Sequence, residues 1–430
     1  MTRAVELKLV STNVYRRGEF RELEVGIDEG RIVKVGSNLG SAREEIDLGD
    51  SLLLPGIIDG HVHFRDPGNT EKEDFRSGSE AAVRGGVTTV VDMPNNDPPI
   101  KTPDLFKQKK RIASEKSLVN FALYAGIPED LELVEPLWRE GAVGFKLYFA
   151  QEAVDLGTLA NEIDDLGALL TVHAEDKELI GGKPRKPRPK TPKEYLDSRP
   201  AEAEIAAVKK LARAAPERLH LAHVTLPESV SILGDAATLE VTPHHLLLAR
   251  EDLDLSNFVP VCNPPIRGRS EVEGIQERFN SGDIDMIASD HAPHEKHEKT
   301  TADPEEGSAG IPGVETILPL SLTYARNNDI PLGSVIDRLT KVPARLFGFD
   351  RRGKIREGFR ADLTVVDETV DGKIRGEEFY SRAKLTPFEG CEVSYTPRMT
   401  FVNGELKYRE GELVDKTPGS FLRGGGNGKR

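Results

Sequence analysis

Residues 59–68 read DGHVHFRDPG and follow the apolar run SLLLPGII. His61 and His63 stand one residue apart, so in a strand both imidazoles emerge on one face while Val62 takes the other. Two imidazoles at the end of one strand can grip a divalent cation from neighbouring directions. An HxH pair alone is weak evidence for a metal, but three other stretches add to it. His173 in ALLTVHAED, His223 in RLHLAHVT, and Asp290 with His291 in DMIASDHAPH also fall at or just past the ends of apolar runs. Histidines that merely satisfy a core would have no reason to gather there. Four imidazoles and a carboxylate exceed the three protein ligands and one water of a single catalytic zinc, which points to two metals.

Two neighbouring cations need an anionic ligand between them, yet the stretch AVGFKLYFA places Lys146 where a carboxylate is wanted. An ammonium would be repelled. Burial and nearby cations depress a lysine's pKa, and a neutral amine can add carbon dioxide to become a carbamate, which is a bridging carboxylate. Lys146 is therefore expected to be carboxylated. Only two cysteines occur, Cys262 and Cys391, far apart in sequence. Neither a disulfide framework nor a thiolate cage is available, so any metal must use nitrogen and oxygen ligands.

Such ligands need a scaffold that brings many strand ends to one rim. The stretches LLLPGIIDGHVHF, VTTVVDMPN, VNFALYAG, AVGFKLYFA, ALLTVHAED, RLHLAHVT, ATLEVTPHH and DMIASDHAPH read as eight strands. Helical intervals such as TEKEDFRSGSEAAVRGG and PAEAEIAAVKKLARAAPERL separate most of them. This alternation predicts an α/β fold, a (β/α)8 TIM barrel whose C-terminal rim carries the site. Both ends of the chain instead alternate apolar and polar residues, as in ELEVGI, RIVKVG and MTFVNGELKYREGELV, the last with an Asn403-Gly404 hairpin signal. Residues 1–52 and 351–416 are read as the two parts of one small discontinuous β-sandwich domain, 53–350 as the barrel, and 417–430 as a flexible tail.

The chain has 430 residues, of which 37% are hydrophobic and 30% charged, and its net charge is -14. That length allows a large buried core. No apolar run reaches the roughly 18 residues of a membrane span and no signal peptide stands at the start, so neither membrane nor export is expected and the cytoplasm is the default. The acidic balance disfavours nucleic acid as a partner. One basic stretch, GGKPRKPRPKTPK at 181–193, is read as a solvated mobile loop because its prolines deny it helix or strand.

The set His61, His63, Lys146, His173, His223 and Asp290 resembles the cyclic amidohydrolases of the amidohydrolase superfamily, from about Pro55 to the closing FVNGELK. The resemblance implies two zinc ions per chain, bridged by carboxylated Lys146 and a hydroxide. His61, His63, Lys146 and Asp290 would hold one zinc, and Lys146, His173 and His223 the other. The stretches HVHFRDPG, MPNN, VCNPPIR and SDHAPH together resemble the dihydroorotases of the long-chain class. That likeness implies reversible cyclisation of N-carbamoyl-L-aspartate to L-dihydroorotate in pyrimidine synthesis, with Asp290 as the proton carrier. A ring carboxylate wants a guanidinium, and Arg65, two residues beyond His63, would point to the same side of an extended chain. By resemblance Asn95 and His294 complete that carboxylate pocket, while Asn263 and the backbone at Ala309 and Gly310 contact the ring amides.

Two departures stand out: Asp66 takes the place of a common Glu, and FAQEAVDLG lacks the threonine of a substrate-closing loop. His244 and His245 are read as structural and His220 as packing or surface. A small-molecule substrate is implied; a homo-oligomer and an association with an aspartate transcarbamoylase stay open. The competing readings are an allantoinase or hydantoinase-type hydrolase and a non-catalytic homologue that scaffolds such a partner.

Overall fold

The computed structural model describes residues 4–152, 154–180 and 188–425. Its first strands are β1 (Val5–Arg16), β2 (Glu19–Asp28), β3 (Arg31–Gly36), β4 (Ala42–Asp47) and β5 (Leu52–Pro55). The middle of the chain supplies β6 (Ile57–Val62), β7 (Val87–Asp92), β8 (Asn120–Leu123), β9 (Ala125–Gly126), β10 (Phe145–Tyr148), β11 (Leu170–His173), β12 (Leu219–Leu221), β13 (Ala237–Val241) and β14 (Met286–Ile287). Four more follow: β15 (Leu363–Lys373), β16 (Glu392–Val402), β17 (Glu405–Arg409) and β18 (Glu412–Leu413).

Strands β6 to β14 are parallel neighbours in chain order. β8 and β9 are one strand interrupted at Tyr124, and the circle closes where His63 N–H donates to the carbonyl of His291 at 2.8 Å. The result is a (β/α)8 barrel. Its strands read as continuous apolar runs because both faces are covered, by the packed interior on one side and by helices on the other. The helices begin where polar caps stop the strands' connections: Asp74 before Phe75–Arg84, Thr102 before Pro103–Lys116, Asp155 before Leu156–Asp165.

The remaining strands form one nine-stranded sheet in the order β18-β17-β16-β15-β5-β1-β2-β3, with β4 also paired to β1. β1 forks: Val5–Val10 pairs with β4 while Asn13 and Val14 pair with β5. The fork folds the sheet over its own core, built from Leu9, Val25, Ile32, Leu53, Val365 and Phe401 among others. Two tight turns abut inside this unit. Gly30, at φ 70°, lies so close to the Asn403-Gly404 turn that a Cβ on it would sit 2.4 Å from the Asn403 carbonyl.

Three expectations need correction. The run LLLPGIIDGHVHF is two strands, not one: β5 belongs to the sandwich and β6 to the barrel, with Gly56 as the joint. A Cβ at Gly56 would lie 2.2 Å from Thr88 Oγ1, so only glycine lets the chain change layers there. The end of the chain is docked, at least to residue 425, and is no free tail. Gly419 N–H donates to Ser117 O, Leu422 N–H to Phe121 O, and the Phe421 ring packs 5.6 Å from that of Phe121. In the basic stretch, residues 181–187 lie outside the described residues; the rest ends in a helix, Pro192–Asp197, capped by Thr191 with proline at the first position. Among the described residues no helix is long and apolar enough to cross a membrane.

Candidate active site

β6 carries His61 near its end and His63 just beyond it. Their Nε2 atoms lie 3.2 and 3.0 Å from Asp290 Oδ1. Their other nitrogens are engaged: His61 Nδ1 is 2.6 Å from Glu240 Oε1, and His63 Nδ1 is 2.7 Å from Asn95 Oδ1. A neutral imidazole has one proton. With Nδ1–H donating to these acceptors, both Nε2 lone pairs face the Asp290 carboxylate. Burial pushes His63 down to about 3, so it does not carry the second proton. Burial opposes the charge on Asp290, and only cationic neighbours hold its carboxyl well below its usual range; with the imidazoles neutral, a bound cation would have to supply that pull. Three lone-pair donors crowded on one point repel one another unless a cation sits among them, so this trio fits a metal.

Across the axis, β11 ends at His173, and His223 follows β12. His173 Nδ1 lies 3.1 Å from His223 Nε2. The far nitrogen of His173 donates to Glu175 Oε2 at 2.6 Å, and Arg199 Nη2 reaches the same oxygen at 2.5 Å. Burial would raise Glu175, yet His173 and Arg199 hold it at about 2. Carboxylates bound behind ligating imidazoles in this way fix the ring and its tautomer. Glu240 does the same for His61 and also accepts from His220 Nε2 at 3.0 Å and from the His223 backbone N–H at 3.1 Å. His220 is thus a buried member of this network, not a surface residue.

Lys146 projects from β10 into the floor between the two groups. It is fully buried, and its Nζ has no hydrogen-bond partner. Burial draws its ammonium down to about 8, against the pull of Glu240 and Asp290. A buried amine without an acceptor is costly, and the cost falls if the amine is neutral or modified. The position fits an added carboxylate.

Above this floor opens a pocket of about 180 Å³. Arg65, Asn95, Asn263, His294, Ala309 and Gly310 all line it. Arg65 arrives by a route the sequence did not suggest. β6 ends at Val62, and Arg65 takes a left-handed φ of 60°, so a turn rather than an extended chain aims the guanidinium inward. His223 (φ 35°) and Asp290 (φ 46°) share this conformation, which side chains other than glycine adopt at a cost, most often at functional sites. Arg65 Nη2 lies 3.3 Å from His294 Nε2, and its buried Nε is unpartnered. His294 donates to Ala309 O at 3.0 Å. Burial, with Arg65, Lys299 and Lys72 nearby, pushes His294 down to about 4, so it is neutral. Asn263 donates through Nδ2 to Tyr195 Oη at 2.9 Å.

Lys299 was not singled out in the sequence. Its buried ammonium donates to Val261 O (3.2 Å), Ser308 O (2.9 Å) and Gly310 O (2.7 Å), tying the strap before Asn263 to the strap that carries Ala309 and Gly310. Lys299→Met strands three carbonyls, at about 1–3 kcal/mol each where burial is complete. In steady-state kinetics KM should rise roughly tenfold with kcat within about twofold and metal content unchanged, because this wall of the pocket loosens while His61, His63 and Asp290 stay put.

The sequence profile of the amidohydrolase family matches residues 52–407. The chain belongs to the amidohydrolase family. It is similar to the dihydroorotase of Methanosarcina acetivorans, 36% identical over 451 aligned residues that cover 98% of this chain and 96% of that one. An allantoinase of Rubrobacter xylanophilus is 34% identical, with 95% of each chain covered. Among solved structures, an L-hydantoinase (dihydropyrimidinase) from Arthrobacter aurescens superposes with a TM-score of 0.91 at 27% identity, over 97% of this chain and all of that one.

This amidohydrolase holds a second histidine cluster, His244, His245 and Cys262, whose ligand atoms also lie within 4.8 Å of one another. Its chemistry differs. Both ring nitrogens of His245 are engaged, with Thr242 Oγ1 at 2.8 Å and Pro264 O at 2.9 Å, and the Cys262 thiol donates to Pro264 O. Burial pushes that thiol up to about 12, so it is no thiolate. His291, next to Asp290, is buried against Phe64 and Glu73 and does not line the pocket.

Proposed function

We propose that the amidohydrolase is a dihydroorotase, closing N-carbamoyl-L-aspartate to L-dihydroorotate and reopening it in pyrimidine synthesis. The observation that carries the reading is Arg65: a buried guanidinium with a free Nε, set beside Asn95 and neutral His294 in the wall of the pocket. A buried cation without a counter-ion is unfavourable until an anion arrives, and the fork suits a carboxylate. Dihydroorotate carries one; allantoin and hydantoins do not. Relatives named dihydroorotase, from M. acetivorans to Pyrococcus abyssi at 34% identity, support the same choice.

His61, His63 and Asp290 would hold one zinc, His173 and His223 the other, and carboxylated Lys146 would lie between them. When bound, the metals would lower the pKa of a water and polarise the scissile carbonyl. The chain's own groups do the rest. Arg65 and Asn95 fix the substrate carboxylate, and Asn95 holds His63 with its other end, so substrate position and ligand orientation share one side chain. Asn263 and the backbone at Ala309 and Gly310 receive the ring amides. Asp290 is ionised and next to the attack point; in ring opening it takes the proton of the attacking water and passes it to the leaving nitrogen, and in closure it does the reverse.

The test is an ultraviolet assay of dihydroorotate consumption run beside allantoin and dihydrouracil. Dihydroorotate should be turned over at least about 100-fold more efficiently, the ratio expected when a buried charge is left unpaired by an uncharged ring. Faster turnover of allantoin or dihydrouracil would replace this reading with that of a hydrolase for uncharged cyclic amides.

A further inference from the structure

At the other end of the barrel, where Pro55 leads into β6, a cleft of about 680 Å³ opens between sandwich and barrel. Five cationic side chains line it, Arg16, Arg17, Lys341, Lys354 and Arg356, against two carboxylates, Asp337 and Glu357. Both carboxylates are occupied. Asp337 is paired with Lys341 at 2.6 Å and accepts from Tyr15 Oη at 3.0 Å, and Glu357 accepts from the Val35 backbone N–H. Among the described residues, Arg16, Arg17, Lys354 and Arg356 have no ion-pair partner; Arg356 only faces the Phe359 ring at 5.7 Å. In a chain with 72 acidic and 58 basic residues, four unpaired cations around one concavity run against the overall balance.

Both walls are anchored. Arg17 (φ 56°) and Gly18 (φ 87°) form the two-residue turn of the β1–β2 hairpin, closed by the Arg16–Glu19 pair. On the opposite wall, Ile355 is buried in the sandwich core, and the flanking Lys354 and Arg356 are exposed beside the cleft. Gly353 beside them is packed so closely that a Cβ would lie 2.6 Å from Thr340 O. The loop that carries Lys354 and Arg356 is thus pinned at Gly353 and Ile355, and Arg17 is held by the hairpin turn.

We infer that this cleft binds a polyphosphate chain, free or as part of a nucleotide. A single carboxylate or phosphate would satisfy one wall, whereas a chain of linked phosphates can meet guanidinium groups on both. The volume lies within the roughly 300–1,000 Å³ of small-molecule sites, and a concavity lined by one sign of charge concentrates the opposite ion.

Calorimetric titration of the metal-loaded full chain with tripolyphosphate, ATP and adenosine tests the inference, with Arg17→Glu/Lys354→Glu as the control. Tripolyphosphate and ATP should bind at low salt, weaken as salt is raised, and bind at least about tenfold more weakly to the double variant, whose exposed substitutions leave turnover at the distant pocket unchanged. ATP tighter than tripolyphosphate marks a nucleotide as the source of the phosphates, equal affinity marks the chain alone, and adenosine should be silent. Chelation of active-site metal would give the same heat in both proteins. Equal binding to parent and double variant, or binding to neither, overturns the inference.

Discussion

Lys146→Ala should lose turnover and bound metal together, with kcat down by about 10³-fold or more, some 4 kcal/mol at 1.36 kcal/mol per decade. The size follows from what sits around the residue. Lys146 is buried within electrostatic reach of His173, His223, Glu240 and Asp290, and its Nζ reaches no acceptor. If it is carboxylated, alanine removes the one anion between two cations and leaves their mutual repulsion uncompensated. If Lys146 were an ordinary buried lysine, alanine would relieve an unpaired charge and metal retention would improve. Metal analysis beside kinetics separates the two, and an alanine variant that keeps full metal and rate would end the carbamate reading. The parent protein offers a second check. An amine drawn down to about 8 is roughly one-tenth neutral at pH 7 and half neutral at pH 8. Since only the neutral amine adds carbon dioxide, reactivation of stripped protein at fixed dissolved carbon dioxide should speed up as pH rises toward 8 and then level off. Reactivation indifferent to carbon dioxide would count against the modification.

Arg65→Met should cost dihydroorotate turnover about 2–5 kcal/mol in kcat/KM, roughly 30- to several-thousand-fold, the range for removing one member of a buried charged hydrogen-bonded pair. Methionine keeps the length and apolar stem, so the pocket wall is preserved while the fork is lost. Metal content should not change, because Arg65 touches His294 and not the converging lone pairs of His61, His63 and Asp290. Activity on uncharged cyclic amides should hold or rise. A variant that keeps its efficiency on dihydroorotate would mean that another cation receives the carboxylate, and Lys72, 3.3 Å from the far side of His294, would be the next to replace.

Much of this candidate site was legible in the chain because the residue types able to hold a metal are few in kind and regular in spacing. An HxH at the end of an apolar run, and single histidines ending later runs, carry their positions with them. The six residues assigned to metals and the six assigned to substrate all meet at one rim of the barrel or on the floor beneath it. The residues behind them were harder to see. Glu240 sits in ATLEV, where a carboxylate in a buried parallel strand was the available signal, and Glu175 stands two residues after His173 in HAED. Lys299 and Arg199 lie in polar stretches with nothing local to mark them, since their partners are backbone carbonyls and a carboxylate brought close only by the fold. The joint at Gly56 escaped notice for a similar reason: LLLPGII is apolar throughout, and only contact with Thr88 separates its two halves. Arg65 pointed where expected through a left-handed turn that residue spacing does not encode. The proline-rich 181–193 stretch stands out by composition, while RRGKIREGFR, whose Lys354 and Arg356 line the basal cleft, falls within the part read as β-sandwich and has no local feature to mark it.

The pairing of β5 with β15, Leu53 opposite Val365, bears on how the chain matures. Emerging N-terminus first, the protein exposes an unfinished sheet edge while the whole barrel is still to be synthesised. At about 5–20 residues per second that wait is on the order of tens of seconds. Leu52, Leu53 and Leu54 are buried once β15 arrives, and until then they offer an apolar edge to any passing strand. Yield in a heterologous host should accordingly depend on chaperone supply and on slow, cool expression more than on the intrinsic stability of the finished molecule.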